Sequence, residues 1–397
     1  MVERDVDLLI VGGGVIGLAL MHALKPLGYR VLLLCDQPFG THHDVDFDAR
    51  SLALSPASIC ILDRIGVWPL LQTHATFIEA IHISEQGAFG QARLVGEKQR
   101  PLGAVVEMNQ LKATLESLIE PSEYVVSTQL MALDVAAGHV TCSTSAGDLR
   151  VHARLIVGAD GADSALRRWS QLVVEKKNYH QQAIVANIGL MRPHRQWAYE
   201  RFTPKGPLAM LPMAGARASL VWVRSPAEAA QLMGLGDDAF LAALQRAFGY
   251  RLGRFIKVGR RIVYPLHQMV MPKQVVGSLV FIGNAAHTLH PVAGQGFNLG
   301  LRDVATLVQC MAKMGFGIKM LPCYQQLRQS DQTSTACLTD GLITIFGSQF
   351  PGIAFARQVG LFTLDNSVFL KKLVLRYASG RGGIVPDLVC GIPLNGG

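Results

Sequence analysis

Three glycines spaced Gly12-x-Gly14-x-x-Gly17, set between a short apolar run and a segment of helical periodicity, restrict the fold of this chain more than any other feature. "VDLLIVGGG" has the texture of a buried parallel strand, "VIGLALMHALKPLG" spaces its apolar residues as a helix does, and "YRVLLLC" reads as a second strand. In such a βαβ unit Gly12 permits a tight turn, Gly14 lets backbone approach a pyrophosphate, and Gly17 allows the helix to pack closely on the strand. The helix start adds partial positive charge for an anion. Fingerprints of this kind place an acid at the end of the second strand to bind ribose hydroxyls. Counting from Gly17 puts that position at Cys35, so either the strand end adjusts and Asp36 reaches the ribose, which is the preferred reading, or this contact is missing.

The 397 residues exceed what one hydrophobic core comfortably serves, which predicts two interleaved domains. A net charge of +8 invites a nucleic-acid reading, but the basic residues are dispersed and no basic stretch is interleaved with aromatics. Nucleic acid is therefore excluded, and attraction to anionic lipid is the better use of the surplus. Seven cysteines without a C-x-x-C pair read as free thiols of a reducing compartment, with no disulfide framework and no metal site. The longest charge-free apolar stretch, 341–356, is broken by Pro351-Gly352 and falls short of the roughly 20 residues a spanning helix needs. With no charged-then-apolar leader at the N-terminus, the expectation is a cytoplasmic protein, with peripheral contact at the inner face of the cell membrane.

Ser55-Pro56 reads as an N-cap followed by proline at the first helical position. Residues 123–152 alternate like a strand meander, and "ARLIVGADGADSALRRW" restores the strand-then-helix pattern. From 178 to 264 the period becomes two, as in "GPLAMLPM" and "ASLVWVR", with a helix predicted near 237–248. "GSLVFIGNAAH" brings back a parallel-type strand, and 296–314 reads as a helix. The expected division is 1–72, 103–177 and 265–335 for a nucleotide-binding domain in three parts. Segments 73–102 and 178–264 would form an antiparallel-sheet substrate domain, and 336–397 a helical tail.

Two further glycine sites stand out. Asp160-Gly161 follows a buried strand, where an ordinary Asp-Gly turn competes with a carboxylate that bonds a ligand hydroxyl. In "FIGNAAHTLHPVAGQGFNLG", Gly283, Gly294, Gly296 and Gly300 let backbone lie near a flat ligand, and the amides around 295–298 open a helix. Helix-start amides aimed at a ring stabilise negative charge forming on it, as on the edge of a reduced flavin. The first site would then hold pyrophosphate and adenosine, and the late site the ribityl chain and isoalloxazine.

In this order and spacing, "GGGVIG", "GADGADSALR" and "GNAAHTLHPVAGQGFNLGLRDV" resemble the FAD-dependent aromatic-ring hydroxylases. Within that group "FDARSLALS", "ERFTPKGPLAMLPM", "SLVW", "FGYRLG" and "YQQLRQSDQTSTACLTD" resemble the ubiquinone-biosynthesis hydroxylases over nearly the whole chain. The resemblance implies an α/β fold with a Rossmann-like FAD-binding domain of the para-hydroxybenzoate hydroxylase type, an interleaved antiparallel β-sheet substrate domain and a helical C-terminal tail. It puts Gly12, Gly14 and Gly17 at the diphosphate, Arg50 near the cofactor, and Asp160 and Gly161 against FAD and the nicotinamide donor. Gly294, Gln295, Gly296, Phe297 and Asn298 fall beside the flavin ring. The group usually has Gly-Asp where this chain has Gly283-Asn284; Asn284 makes the same ribityl bond without charge.

The resemblance further implies FAD as cofactor, NADPH or NADH as electron donor, and O2 as co-substrate. A flavin C4a-hydroperoxide would pass one oxygen to a polyprenylated phenol, 2-octaprenyl-6-methoxyphenol, giving the 1,4-benzoquinol. The alternatives are a sibling ubiquinone-pathway hydroxylase acting at another ring position and a non-catalytic FAD-binding scaffold of the biosynthetic complex. No catalytic side chain is required of the protein, which must exclude water and hold the ring. Met210, Pro212 and Trp222 lie on the strands expected to roof the substrate. His287 and His290 read as capping or packing residues, and His42-His43-Asp44 as a polar loop. Phe369, Leu370, Leu373, Val374 and Tyr377, opposed by Lys371, Lys372 and Arg376, make a basic amphipathic helix suited to a membrane surface or to core packing.

Overall fold

The computed structural model describes residues 1–40, 47, 50–96, 100–348, 350–382 and 385–390; His42, His43 and Asp44 lie outside them. β1 (Val2–Val11) is exposed at its start and buried from Leu8 onward, because parallel neighbours flank it on both sides. Gly12 to Gly14 connect it to α1 (Val15–Leu24), which is apolar around most of its circumference and buries eight of its ten residues. β2 (Val31–Cys35) pairs parallel to β1 in the register Leu8↔Val31 to Val11↔Leu34.

β3 (Ser51–Leu54) leads into α2 (Pro56–Arg64), whose cap is the Ser55 hydroxyl accepting from the Ser58 amide at 3.2 Å. After α3 (Trp68–Leu71) and β4 (Thr76–Ile78), the chain leaves for a second sheet through β5 (Ala80–Glu85) and β6 (Gln91–Val95). It returns in β7 (Gly103–Glu107), which pairs with β3 and β4, and α4 (Met108–Glu116). The meander follows as β8 (Tyr124–Asp134), β9 (His139–Thr144) and β10 (Gly147–Gly158), then α5 (Ala165–Trp169). Side by side, β8, β2, β1 and β10 run parallel, and β18 (Leu279–Phe281) joins beyond β10.

The second sheet takes β11 (Lys176–Leu190), β12 (Trp197–Thr203), β13 (Gly206–Met213), β14 (Arg217–Arg224), β15 (Phe255–Val258) and β16 (Ile262–Val270). With β5, β6 and β19 (His287–Thr288) it has nine strands among the described residues, in the order β19-β16-β11-β14-β13-β12-β5-β6 with β15 on β11. All its pairings are antiparallel except β5 with β12. The break expected at 264/265 falls inside β16, whose pairing with β11 continues to Met269.

α6 (Pro226–Met233) and α7 (Asp237–Phe248) cover one face of this sheet. β17 (Val275–Val276) leads back to β18, and α8 (Gln295–Met314) packs on α1 and the parallel sheet. α9 (Leu321–Gly347) begins earlier than the predicted tail, and α10 (Pro351–Asn366) and α11 (Val368–Ala378) complete it. The core between α1, α8 and the parallel sheet contains Leu8, Ile10, Leu18, Leu33, Leu301 and Val304, all fully buried. Each such side chain contributes about 2 kcal/mol of transfer free energy, which fixes the strand ends where the loops emerge.

Candidate functional site

Three loops leave the C-terminal ends of adjacent parallel strands β1, β10 and β18, the place where open α/β sheets bind ligands. In the first, Gly12 has φ +123°, and a Cβ there would lie 2.3 Å from the Ala159 carbonyl oxygen. A Cβ on Gly17 would lie 2.0 Å from the Gly12 carbonyl oxygen. Both glycines are therefore demanded by the protein's own backbone. Gly14 differs: it caps α1 with no side-chain partner, and a Cβ there would meet nothing within 4 Å. The α1 start thus has open space beside Gly14 and no side-chain cap on its first amides, as an anion site requires. Cys35 is buried against Gly13, and burial pushes its thiol up to about 11. Asp36, just past the end of β2, is exposed.

In the second loop the Asp160 carboxylate accepts from the Leu166 amide at 3.1 Å through Oδ2, helping to start α5. Its Oδ1 is buried without a partner, a spare acceptor at the loop, and Gly161 beside it has φ +82° and open surroundings. Sequence reasoning missed Arg167 of the same motif. Its buried guanidinium donates to the carbonyls of Ala285 (2.6 Å) and Ala162, strapping the second loop to the third.

The third loop is held from beneath. Gly283 has φ +59°, and its amide donates to Asp303 Oδ2 at 2.9 Å. The same oxygen accepts from His287 Nε2 at 2.6 Å, while Oδ1 accepts from Arg328 Nε at 2.7 Å and Gln332 Nε2 at 2.9 Å. Burial drives the Asp303 carboxyl upward, but His287, Arg328 and the Gly283 amide outweigh it and hold it well below the usual carboxylate range. His290 Nδ1 accepts from the Val292 amide at 3.2 Å, and its ring meets Tyr179 edge-on. Burial lowers its pKa to about 4, so the ring is neutral.

Asn284 is exposed at the head of this loop. Gly294 takes φ +60° to start α8, and a Cβ on Gly296 would meet nothing within 4 Å, a second open cradle at a helix start. Gln295 is buried, and Phe297 packs against the core under α8. The Asn298 side chain is a clasp: Oδ1 accepts from Ser55 N and Ser58 Oγ, and Nδ2 donates to the carbonyls of Ala53 and Gly294. With all four bonds made inside the protein, only its backbone is left for a ligand.

Over these loops lies the face of the nine-stranded sheet that α6 and α7 do not cover. Arg50 Nη1 donates to the Tyr264 hydroxyl at 3.1 Å, Asn187 Nδ2 to the Phe47 carbonyl at 2.6 Å, and Arg217 Nη2 to Glu107 at 2.8 Å, joining that face to the nucleotide-binding domain. Met210 and Trp222 point the other way, into the cluster with Leu208, Leu220 and Phe240 of α7, and Pro212, paired with Ala218 of that cluster, shares their side. Their expected roofing role is corrected by one residue of register. Side chains alternate along a strand, so the faces turned to the loops carry Ala209, Leu211 and Val221 instead.

The α1 start, Asp160 and the α8 start thus stand on the three loops that follow the adjacent strands β1, β10 and β18. FAD fits these residues: two helix starts free of side chains suit its diphosphate and ring edge, and the unpartnered Asp160 oxygen suits a hydroxyl.

A family model described as FAD binding domain matches residues 5–318. A ubiquinone hydroxylase, UbiL, of Rhodospirillum rubrum is 35% identical, with 99% of this chain and 94% of that protein covered. The 3-demethoxyubiquinol 3-hydroxylase of Escherichia coli K12 is 30% identical, with 96% and 100% covered. Among solved structures, p-nitrophenol 4-monooxygenase PnpA from Pseudomonas putida DLL-E4 superposes with a TM-score of 0.79 at 18% identity, covering 97% of this chain and all of that one.

Proposed function

The chain belongs to the FAD binding domain family, within the ubiquinone-biosynthesis hydroxylases, and from that premise we propose that it hydroxylates the ring of a polyprenylated phenol. It is an FAD-dependent aromatic-ring monooxygenase using NAD(P)H and O2. When bound, FAD supplies the redox chemistry, taking electrons from the nicotinamide and activating oxygen. In the proposed placement the α1 amides around Gly14 hold the diphosphate and Asp36 reaches toward the ribose. Asp160 and Asn284 bond hydroxyls of the cofactor, and the α8 amides around Gly296 stabilise negative charge on the ring.

The observation that carries the substrate reading is the half-buried, largely apolar sheet face of Ala209, Leu211 and Val221, on the side away from α6 and α7. A flat apolar ring held there is shielded from water, which favours oxygen transfer over release of peroxide. A cavity of about 160 Å³ at the turn between β12 and β13, lined by Phe202, Pro207, Ile343 and Phe346 with Gln181 and Lys205 at its polar side, offers a way out for the prenyl tail. α11 has no fully buried residue, and Phe369, Leu373 and Tyr377 are exposed, as are Lys372 and Arg376. That supports contact with an anionic bilayer rather than core packing.

The preferred substrate is 2-octaprenyl-6-methoxyphenol, converted to the 1,4-benzoquinol. The second reading, a sibling hydroxylase at another ring position, is favoured by the name of the Escherichia coli relative, which acts at position 3. Incubation with FAD, NADPH and a short-chain 2-prenyl-6-methoxyphenol, followed by mass spectrometry and NMR of the product, separates the two. A para-quinol supports the first reading. Turnover only with a demethoxyquinol analogue supports the second, and FAD binding without phenol-dependent NADPH consumption leaves a scaffold.

A further inference from the structure

On the sheet face turned toward the loops, one row of cross-strand neighbours runs in register through Val185, Val221, Ala209, Glu200 and Ile83. Four are apolar, and the remaining one is a carboxylate set between Ala209 and Ile83. The orientation of Glu200 follows from its neighbours along β12. Tyr199 and Arg201 face α7, where Tyr199 packs on Phe248 and Arg201 donates to the Ala247 carbonyl. Ala198 on the opposite side packs with Ile78 and Val105 of the nucleotide-binding domain, and Phe202 stacks on Phe346 of α9. Glu200 therefore projects between them, toward the space beneath the sheet.

Glu200 is half-buried, so its carboxylate is crowded by protein while part of its surface stays accessible. Burial raises its carboxyl to a pKa of about 7, and among the described residues no charged neighbour contributes. Among the described residues, the other ionisable groups near that face are engaged elsewhere: Glu85 with Arg357, Arg217 with Glu107, Asp340 with Lys177 and Tyr179, and Arg50 with Tyr264. A crowded carboxylate with no partner among the described residues, and with apolar neighbours on both flanking strands, is costly to the fold, and such groups mark places where a ligand supplies the partner.

We propose that Glu200 accepts the hydrogen bond of the substrate's phenolic hydroxyl and takes its proton while the ring is hydroxylated. This rests on the ring-hydroxylase reading above. One atom of O2 becomes bonded to the ring carbon and the other leaves as water, NAD(P)H being the electron donor. As the new C–O bond forms, the phenolic O–H electron pair moves into the ring and its proton passes to Glu200. Rearomatisation then expels the ring proton from the attacked carbon, and Glu200 returns its own proton to the phenolic oxygen. The carboxylate ends each turnover unchanged.

The test compares FAD-loaded wild type, Glu200→Gln and Glu200→Asp with a short-chain 2-prenyl-6-methoxyphenol. Binding is followed by perturbation of the flavin spectrum from pH 5.5 to 9, and turnover by product and peroxide. In wild type, phenol affinity and hydroxylation rise together through about pH 7. Glu200→Gln should take up FAD normally and lose the pH dependence of phenol binding. Its hydroxylation should fall about 100-fold or more while NADPH oxidation diverts to peroxide. Glu200→Asp should keep the pH limb and recover part of the rate. If wild type hydroxylates the phenol and Glu200→Gln does so within threefold with the same pH limb, the proposal is wrong and the enzyme reading stands. If wild type binds FAD but never hydroxylates a phenol, both fall.

Discussion

Replacing Asp303 by Asn probes the support beneath the third loop. The carboxylate is fully buried and takes four donors, from Gly283, His287, Arg328 and Gln332. An amide matches only two of them. If its oxygen stays with Arg328 and Gln332, its NH2 faces the Gly283 amide, which loses its acceptor. Breaking one side of a buried ion pair costs about 3–5 kcal/mol. Arg328 retains Asp331 at 2.6 Å, which points to the lower end, about 3 kcal/mol. Urea unfolding at pH 7 should therefore show a markedly lower midpoint, and FAD titration by fluorescence quenching should show affinity down by roughly tenfold or more, about 1.4 kcal/mol. Because the Asp303 pKa is depressed in the fold, its contribution is complete above the unfolded value near ~3.9 and fades as pH falls below it. The gap between variant and wild type should narrow below about pH 4. Equal urea midpoints at pH 7, or a gap indifferent to acid, would refute the reasoning.

The glycines of the first loop should separate. Gly12→Ala meets backbone at 2.3 Å in a left-handed conformation and should cost roughly 3 kcal/mol or abolish soluble expression, whereas Gly14→Val should melt near wild type yet bind FAD about 100-fold more weakly. Val221→Trp should block phenol binding while leaving FAD uptake intact; Trp222→Phe should instead lower the melting temperature with the KM for phenol unchanged, since its ring packs on Phe240. Phe369→Ser with Leu373→Ser should reduce sedimentation with anionic vesicles several-fold without altering turnover of a short-chain phenol.

The parts of the molecule written in local sequence were legible. The βαβ unit announces itself because a tight turn and a close helix leave no room for Cβ at Gly12 or Gly17, and the Ser55-Pro56 cap and the helices at 237–248 and 295–314 follow from short-range periodicity. Which face of β13 and β14 meets the ligand was not legible. Both faces are covered, so the strands lack a clean apolar–polar alternation, and the parity of Met210 against Leu211 is decided by α6 and α7 packing on the back. The Asp303 cluster was hidden for another reason. Arg328 and Gln332 look like the polar side of a surface helix until α9 is laid on α8, where they converge on a carboxylate some 25 and 29 residues earlier. Asn298 was placed beside the cofactor by its motif, yet its side chain is occupied by Ser55 and Ser58, contacts about 240 residues distant that no local pattern encodes. Glu200 sat within the quoted "ERFT" segment and gained meaning only from the register of β12 with β5 and β13.

The most direct measurement is turnover under ¹⁸O₂ of the FAD-reconstituted protein with NADPH and a 2-prenyl-6-methoxyphenol, with the ring product weighed by mass spectrometry. One labelled oxygen in the ring per NADPH consumed is the expected result, with water as the other product. A yellow protein that consumes NADPH but yields only peroxide and unlabelled phenol with every candidate ring, or a protein that takes up no FAD at all, would contradict the account.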